Sequence, residues 1–201
     1  MTKLFWLPIV ALLAPLCSLA REPLELKTVS LTEFMQDNLP TPIALPVPVP
    51  NDYEPASTPD APLGYSYWMR PKDAQKASRT GKLPSKNGYM YGKISLEVGY
   101  DKDSDIFIGA EDPGFLSQAK STFTSLTMER CRFESYPVLL FTAEMPGSRN
   151  LVYAAYVATG IDTNTVYLAV RPPKNSRAIG DQIFRALKAS LSACSAVSGA
   201  P

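Results

Sequence analysis

Three sets of residues have the types and spacing to do chemistry. Asp101, Asp103 and Asp105 stand at the first, third and fifth places of a calcium loop, with Asp112 at the twelfth. The sixth place of such a loop needs glycine for its sharp turn and here holds Ile106, so a solvated hairpin turn accounts better for these carboxylates. Ser117 and Lys120 match the Ser-x-x-Lys pair of penicillin-recognising serine enzymes. That chemistry also needs later elements, yet no Ser-Asp-Asn is present, and Arg79-Thr80-Gly81 lies upstream and begins with arginine. Glu129, Glu134 and Glu144 are glycosidase-type carboxylates by residue type, but spacing selects no pair among them.

The inventory is as informative for what it lacks. With no histidine in the chain, Ser-His-Asp and Cys-His nucleophiles, the HExxH zinc site and the easiest general base near neutral pH all drop out. We therefore expect a protein that is not an enzyme and uses no cofactor and no metal. Lys and Arg number 20 against 19 Asp and Glu. No global field holds a polyanion, so nucleic acid is not an expected partner.

Beneath that neutral total lies a local asymmetry. From Arg70 to Lys93 there are seven bases and one acid, Asp73, while from Glu97 to Asp112 there are six acids and one base, Lys102, so adjacent segments carry +6 and −5. The two segments either compensate each other or form a bipolar surface that steers a charged partner. Six of the ten tyrosines (53, 65, 67, 89, 91 and 100) fall in the same stretch with Trp68. Tyrosine, tryptophan and arginine dominate protein–protein hot spots because they bring large area with a polar end. Tyr65, Tyr67, Trp68, Arg70 and Lys72, in a loop-like region without a long apolar period, are the expected exposed contacts. An alternative ligand, an anionic lipid or glycan of the cell envelope, would use Lys76, Arg79, Lys82 and Lys86; it calls for a deep apolar pocket beside those bases.

The elements that position these residues follow from pattern. Lys3, the apolar run from Leu4 to Leu16 and Ser18-Leu19-Ala20 read as a signal peptide over 1–20, cleaved after Ala20, too short and too interrupted by Pro8 and Pro15 to span a membrane. Cys17 as a lipid-bearing residue is disfavoured by Leu16 before it. Removal of the leader takes Cys17 away and leaves Cys131 and Cys194, which we expect to pair in an oxidising export compartment, the periplasm.

Residues 21–63 read as a short helix and a proline-rich arm, and 64–201 as one domain. Leu24 to Val29 alternates weakly, and Ser30-Leu31-Thr32-Glu33 has capping-box spacing, predicting a helix over 31–38 that stops before Pro40. In Ile43-Ala44-Leu45-Pro46-Val47-Pro48-Val49-Pro50 every second residue is aliphatic, so the arm is either a stiff linker or an extended strip docked by one face. Residues 51–63 read as loop. Strands are expected over 91–100, 106–108, 137–143, 151–158 and 165–170, with a turn at 160–164. Asp112-Pro113 opens a helix to about 129, and Ile179, Ile183, Leu187, Leu191 and Cys194 form the stripe of a closing helix. The fold class is thus α+β, a mainly antiparallel sheet covered by helices, with Cys194 tied to Cys131 as a staple between two helix ends.

The order strand, helix, strands and final amphipathic helix over residues 89–194, with Asp112-Pro113 at the first helix and Tyr167-Leu168-Ala169-Val170 before the last, resembles the PsbP-like fold. The resemblance implies a non-catalytic binding or assembly module. Size and export are also similar in kind to periplasmic immunity proteins, which neutralise toxins from rival bacteria. The functional expectation is an exported module that binds a protein partner in the cell envelope, a toxin in the narrowest version.

Overall fold

The computed structural model describes residues 24–58, 62–84, 87–95, 123, 125–144, 151–159, 165–173 and 176–197. In chain order these form β1 (Leu26–Ser30), α1 (Leu31–Phe34), β2 (Pro46–Pro50), β3 (Glu54–Ala56), β4 (Tyr65–Met69), α2 (Pro71–Thr80), β5 (Tyr89–Ser95), β6 (Ser125–Phe133), β7 (Tyr136–Glu144), β8 (Leu151–Ala158), β9 (Thr165–Arg171), α3 (Arg177–Ala189) and β10 (Ser192–Ala196). Eight strands make one sheet in the order β10-β6-β7-β8-β9-β5-β4-β3, with every neighbouring pair antiparallel. This is the α+β arrangement that alternating patterns joined to an amphipathic closing helix require.

One face of the sheet carries the main core. Trp68, Met90, Leu168, Val157, Val138 and Leu140 meet a layer made of α1, the β1–β2 ribbon and α3. The arm is docked: Ile43, Leu45, Val47 and Val49 are 2%, 0%, 1% and 0% exposed, as their shared side of an extended chain allows. Leu31 donates to the Leu45 carbonyl and Asn51 to the Glu25 carbonyl, which turns the odd-numbered residues of β2 toward β1. Pro46, Pro48 and Pro50 point the other way, where a missing N–H costs no ladder bond, so β2 is one-sided by construction.

Ser30 caps α1 by accepting the Glu33 N–H at 3.1 Å. The helix is shorter than the expected 31–38: the Phe34 carbonyl is taken by Trp68 Nε1 at 2.8 Å and Ser66 Oγ at 2.5 Å, and Gln36 and Asp37 turn to φ 52° and 59°. Gly92 leaves room for this packing; a Cβ there would meet Met35 Sδ and crowd the Phe34 ring, so those side chains would have to shift. At the other end of the layer, Gln182 of α3 exchanges two hydrogen bonds with the Leu24 backbone, at 3.1 and 2.6 Å.

Several expectations are corrected. Residues 125–129, read as the end of a helix, belong to β6: Leu126 and Met128 alternate onto one face and Cys131 onto the other, a period of two hidden behind an upstream spacing of three and four. The closing helix ends at Ala189, and Ser190 Oγ donates to the Leu187 carbonyl, so Cys194 lies on a strand. Cys131 and Cys194 are disulfide-bonded across 63 residues, and the staple joins two neighbouring strands rather than two helix ends. Ala193, at φ 50°, and Cys194 form the bulge where the β10–β6 register slips between Ser192 and Ser195. Residues 51–63, read as loop, hold β3, and the loop-like region of Tyr65 to Arg70 holds β4. α2 was not expected, because its buried side consists of Asp73 and Ala77 and gives no apolar period; Pro71 at its first turn and left-handed Gly81 at its end were the available signals. The hairpin over 96–108, Asp112-Pro113, the helix over 113–122 and the turn at 160–164 lie outside the described residues.

Candidate functional site: a tyrosine strip beside a basic helix

The second face of the sheet is built differently. Register places Tyr67 opposite Tyr91 and Tyr156 opposite Tyr167, while Lys93 stands between Tyr65 and Tyr167. With Tyr89 two residues before Tyr91, these six phenols share one side of β4, β5, β9 and β8. Their ring centroids form a continuous chain, 6.0 Å from Tyr65 to Tyr67, 6.1 Å to Tyr91, 5.6 Å to Tyr167 and 4.8 Å to Tyr156. Ala154 and Ala169, both 1% exposed, supply the low ground between the rings. Lys93 Nζ lies 5.7 Å from the centroid of Tyr65 and holds a cation at the strip's end.

Burial pushes the Tyr156 hydroxyl up to about 12, and Tyr167 is raised by burial and then by its hydrogen bond with Tyr91. Tyr67 and Tyr89 are raised by burial as well. Near neutral pH these four phenols therefore keep their protons and present ring area tipped with hydroxyls.

α2 closes one end of the strip. Ala77, fully buried, and Ala74 pack against Tyr67, Met69 and Ala56. The helix is pinned by its one acid: Asn87 Nδ2 donates to both oxygens of Asp73 at 2.9 and 3.0 Å, and the Tyr53 hydroxyl donates to the Asn87 carbonyl at 3.4 Å. Burial, then Asp52 and Asp73, against an opposing Arg70, push Tyr53 up to about 12. With Asp73 turned inward, Lys72, Lys76 and Arg79 line the outer side, and Lys82 follows the helix, all exposed. Among the described residues no carboxylate lies within ion-pair distance of these four. Arg70, just before the helix, is paired at 2.8 Å with Asp52. Between α2 and edge strand β3 runs an open groove of about 480 Å³, lined by Pro55, Ala56, Ser57, Ala74, Gln75, Ser78 and Arg79.

The expected contacts are thus divided. Tyr65 is half-buried at the cationic end of the strip, and Arg70 and Lys72 are exposed beside it. Tyr67 is a correction: it is 8% exposed, buried between Tyr65, Tyr89 and Tyr91 rather than free for contact. Trp68 is a correction: 2% exposed, it stacks at 5.5 Å on Phe34, with Lys27 Nζ 5.5 Å from its own ring centroid. The pleat sends it to the opposite face from Tyr67, so it is core. For the envelope-ligand alternative, Lys76, Arg79 and Lys82 are exposed, Lys86 lies outside the described residues, and the neighbouring groove is open, where that reading calls for depth. Sequence reading missed Tyr156 and Tyr167, distant in the chain; their alternation in two recognised strands was the signal that places them on a common face.

The other chemical candidates come apart or fall outside view. Asp101 to Asp112, Ser117 and Lys120 lie outside the described residues. Glu129 and Glu144 both sit on β6–β7, but Glu144 pairs with Ser125, four residues from Glu129, which is about 13 Å along a strand and beyond the reach of a glycosidase pair. Glu134 sits in the turn at φ 52°. Glu129, Cys131 and Cys194 bring donor atoms within 4.8 Å of one another, yet both sulfurs are spent in the disulfide and Glu129 pairs with Lys188, so no thiolate is offered to a metal.

No family model matches the sequence, and no curated protein matches it. Among solved structures the chain is similar to the cyanobacterial PsbP of Synechocystis sp. PCC 6803, at 12% identity and a TM-score of 0.41 over 89% of this chain and 98% of that one. It is also similar to a point mutant of the protein Mog1, at 12% identity and 0.42 over 82% and 92%, and to the Saccharomyces cerevisiae Ran-binding protein Mog1p, at 13% and 0.41 over 83% and 92%. One of these belongs to the family that the element order resembles; at such scores the likeness carries no inference about activity. Among the described residues no helix is long and apolar enough to cross a membrane.

Proposed function

We propose that this chain is an exported, non-catalytic module that binds an acidic protein partner in the cell envelope through Arg70, Lys72, Lys76, Arg79 and Lys82, with Tyr65 as the aromatic anchor. The observation that carries the reading is the outer side of α2, where cations stand without carboxylate partners among the described residues because the helix's one acid is held inward by Asn87. Such a surface raises the encounter rate with an anionic partner and loses affinity as salt rises. Tyr65 and Leu63, the latter 98% exposed two residues earlier, add desolvatable area at its border. The leader-like sequence of residues 1–20 and the Cys131–Cys194 bond support export to the periplasm, and a toxin delivered by a rival cell is the narrowest form of the partner. An anionic lipid or glycan is the weaker reading, since the groove beside Lys76 and Arg79 is open.

The test is affinity recovery from envelope extract with the wild type and with a triple charge reversal, Lys72→Glu, Lys76→Glu and Arg79→Glu. These positions are exposed, so the variant keeps its fold. We expect recovery to collapse in the variant and to fall with added salt in the wild type; undiminished recovery rejects the surface.

A further inference from the structure

We infer that the groove between β3 and α2 receives an extended acidic segment of the partner, laid alongside β3 and anchored by a carboxylate on Arg79. The inference rests on the binding reading above and assigns its mode. Three observations converge on it.

The first is the direction of the β3 backbone. Ile94 donates to the Gly64 carbonyl at 2.9 Å, so in the β4–β5 ladder the even-numbered residues of β4 face β5. Tyr67 and Met69 therefore face β3, where they pair with Ala56 and Glu54. Pro55, between them, is turned outward. It offers a carbonyl to an incoming N–H and has no N–H of its own, so the edge takes one backbone bond from a visiting peptide without templating a full ladder.

The second is the groove's lining. Pro55, Ala56 and Ala74 give a small apolar floor that fits a branched aliphatic side chain, while Ser57, Gln75 and Ser78 supply hydroxyls and an amide along the walls. The third is charge. Among the described residues Arg79 is the one ionised group lining the groove, and its Nε donates to the Gln75 carbonyl at 3.4 Å, which leaves both terminal nitrogens for a bidentate carboxylate. Lys76 and Lys82, three residues to either side of Arg79 in sequence, do not line the groove but add positive charge near it, which favours an acidic segment over a basic one.

The experiment uses the isotope-labelled full chain and three acetylated nonapeptides: alternating valine and glutamate, alternating valine and lysine, and all glutamate. Amide shifts are followed together with fluorescence anisotropy. The valine–glutamate peptide should move Ser57, Gln75 and Ser78 saturably and bind about tenfold more tightly than the all-glutamate peptide; the lysine peptide should not bind. Ser78→Trp, which fills the groove from an exposed helix position, should weaken the valine–glutamate peptide by about tenfold while leaving all-glutamate binding unchanged. Arg79→Gln, which keeps the groove's shape, should weaken both acidic peptides. Equal affinity of the two acidic peptides with indifference to Ser78→Trp would overturn the groove and leave the basic helix as the recognition element. Absence of shifts in the groove with every peptide also overturns it. The charge-reversal recovery experiment decides the wider reading separately.

Discussion

Residues of opposite parity in β4 have opposite surroundings, and the contrast runs along the sheet. Trp68 enters a layer closed by α1, the β1–β2 ribbon and α3, where its indole N–H is answered by the Phe34 carbonyl. Tyr65, three residues earlier, stays half-buried at the end of a ring chain with Lys93 beside it. The first face buries apolar bulk and ties polar groups to named partners, as with Tyr153, whose hydroxyl donates to Asp181 Oδ1 at 2.6 Å. The second face is rich in tyrosine, with Lys93 at its end, and is bordered by a helix whose cations point to water. An aromatic residue type therefore does not announce its role; its parity along the strand does.

The largest expected effect separates the two faces directly. Trp68→Ala should cost about 4 kcal/mol, from cavity formation and the lost hydrogen bond to the Phe34 carbonyl, whereas Tyr65→Ala should cost about 1 kcal/mol. Urea unfolding of both variants measures the difference, and equal costs would dissolve the distinction. The next effect is on alkaline stability, where Tyr53 of the first face and Tyr156 of the second are both pushed up to about 12. Below about pH 10 folded and unfolded chains hold these protons alike and the stabilisation is complete. Between about pH 10 and about pH 12 the unfolded chain ionises first, so stability falls as pH rises, by roughly 2–3 kcal/mol for each residue. Tyr156→Phe should remove its share of that slope, read from urea midpoints across the window; an unchanged slope contradicts the burial of that hydroxyl. The smallest effect lies at the sheet's margin. Ala193→Gly relieves a left-handed alanine in the bulge and should gain about 0.5–1 kcal/mol with the disulfide intact; a loss would show that the methyl is packed.

What was legible in the sequence follows the same physics. β7, β8 and β9 showed through because one apolar residue in two faces the main core, and α3 because Ile183 and Leu187 recur on one side. The cysteine pairing was accessible from counting once Cys17 was assigned to the leader. β4 was obscured because both of its faces are aromatic, which erases alternation, and α2 because it rests on the sheet through alanine and a hydrogen-bonded aspartate. β6 was mistaken for helix where a real spacing upstream was carried past its end. For the site, Arg70, Lys72, Lys76, Arg79 and Lys82 were visible as a basic run. The strip's far half, Tyr156 and Tyr167, became visible only through strand register, which no local pattern encodes.

The prolines of β2 and β3 have a consequence for the protein in concentrated solution. An open sheet exposes unpaired backbone at its flanks, and such flanks seed stacking into fibrils. Here Pro46, Pro48 and Pro50 remove the donors on the side of β2 away from β1, where Pro48 and Pro50 are already buried, Pro55 silences the outward donor at the centre of one sheet margin, and the Ala193–Cys194 irregularity skews the opposite margin. A second molecule approaching either flank finds no continuous row of amides to copy. The chain can thus stay dispersed in a crowded compartment while keeping an eight-stranded sheet that is closed on neither side.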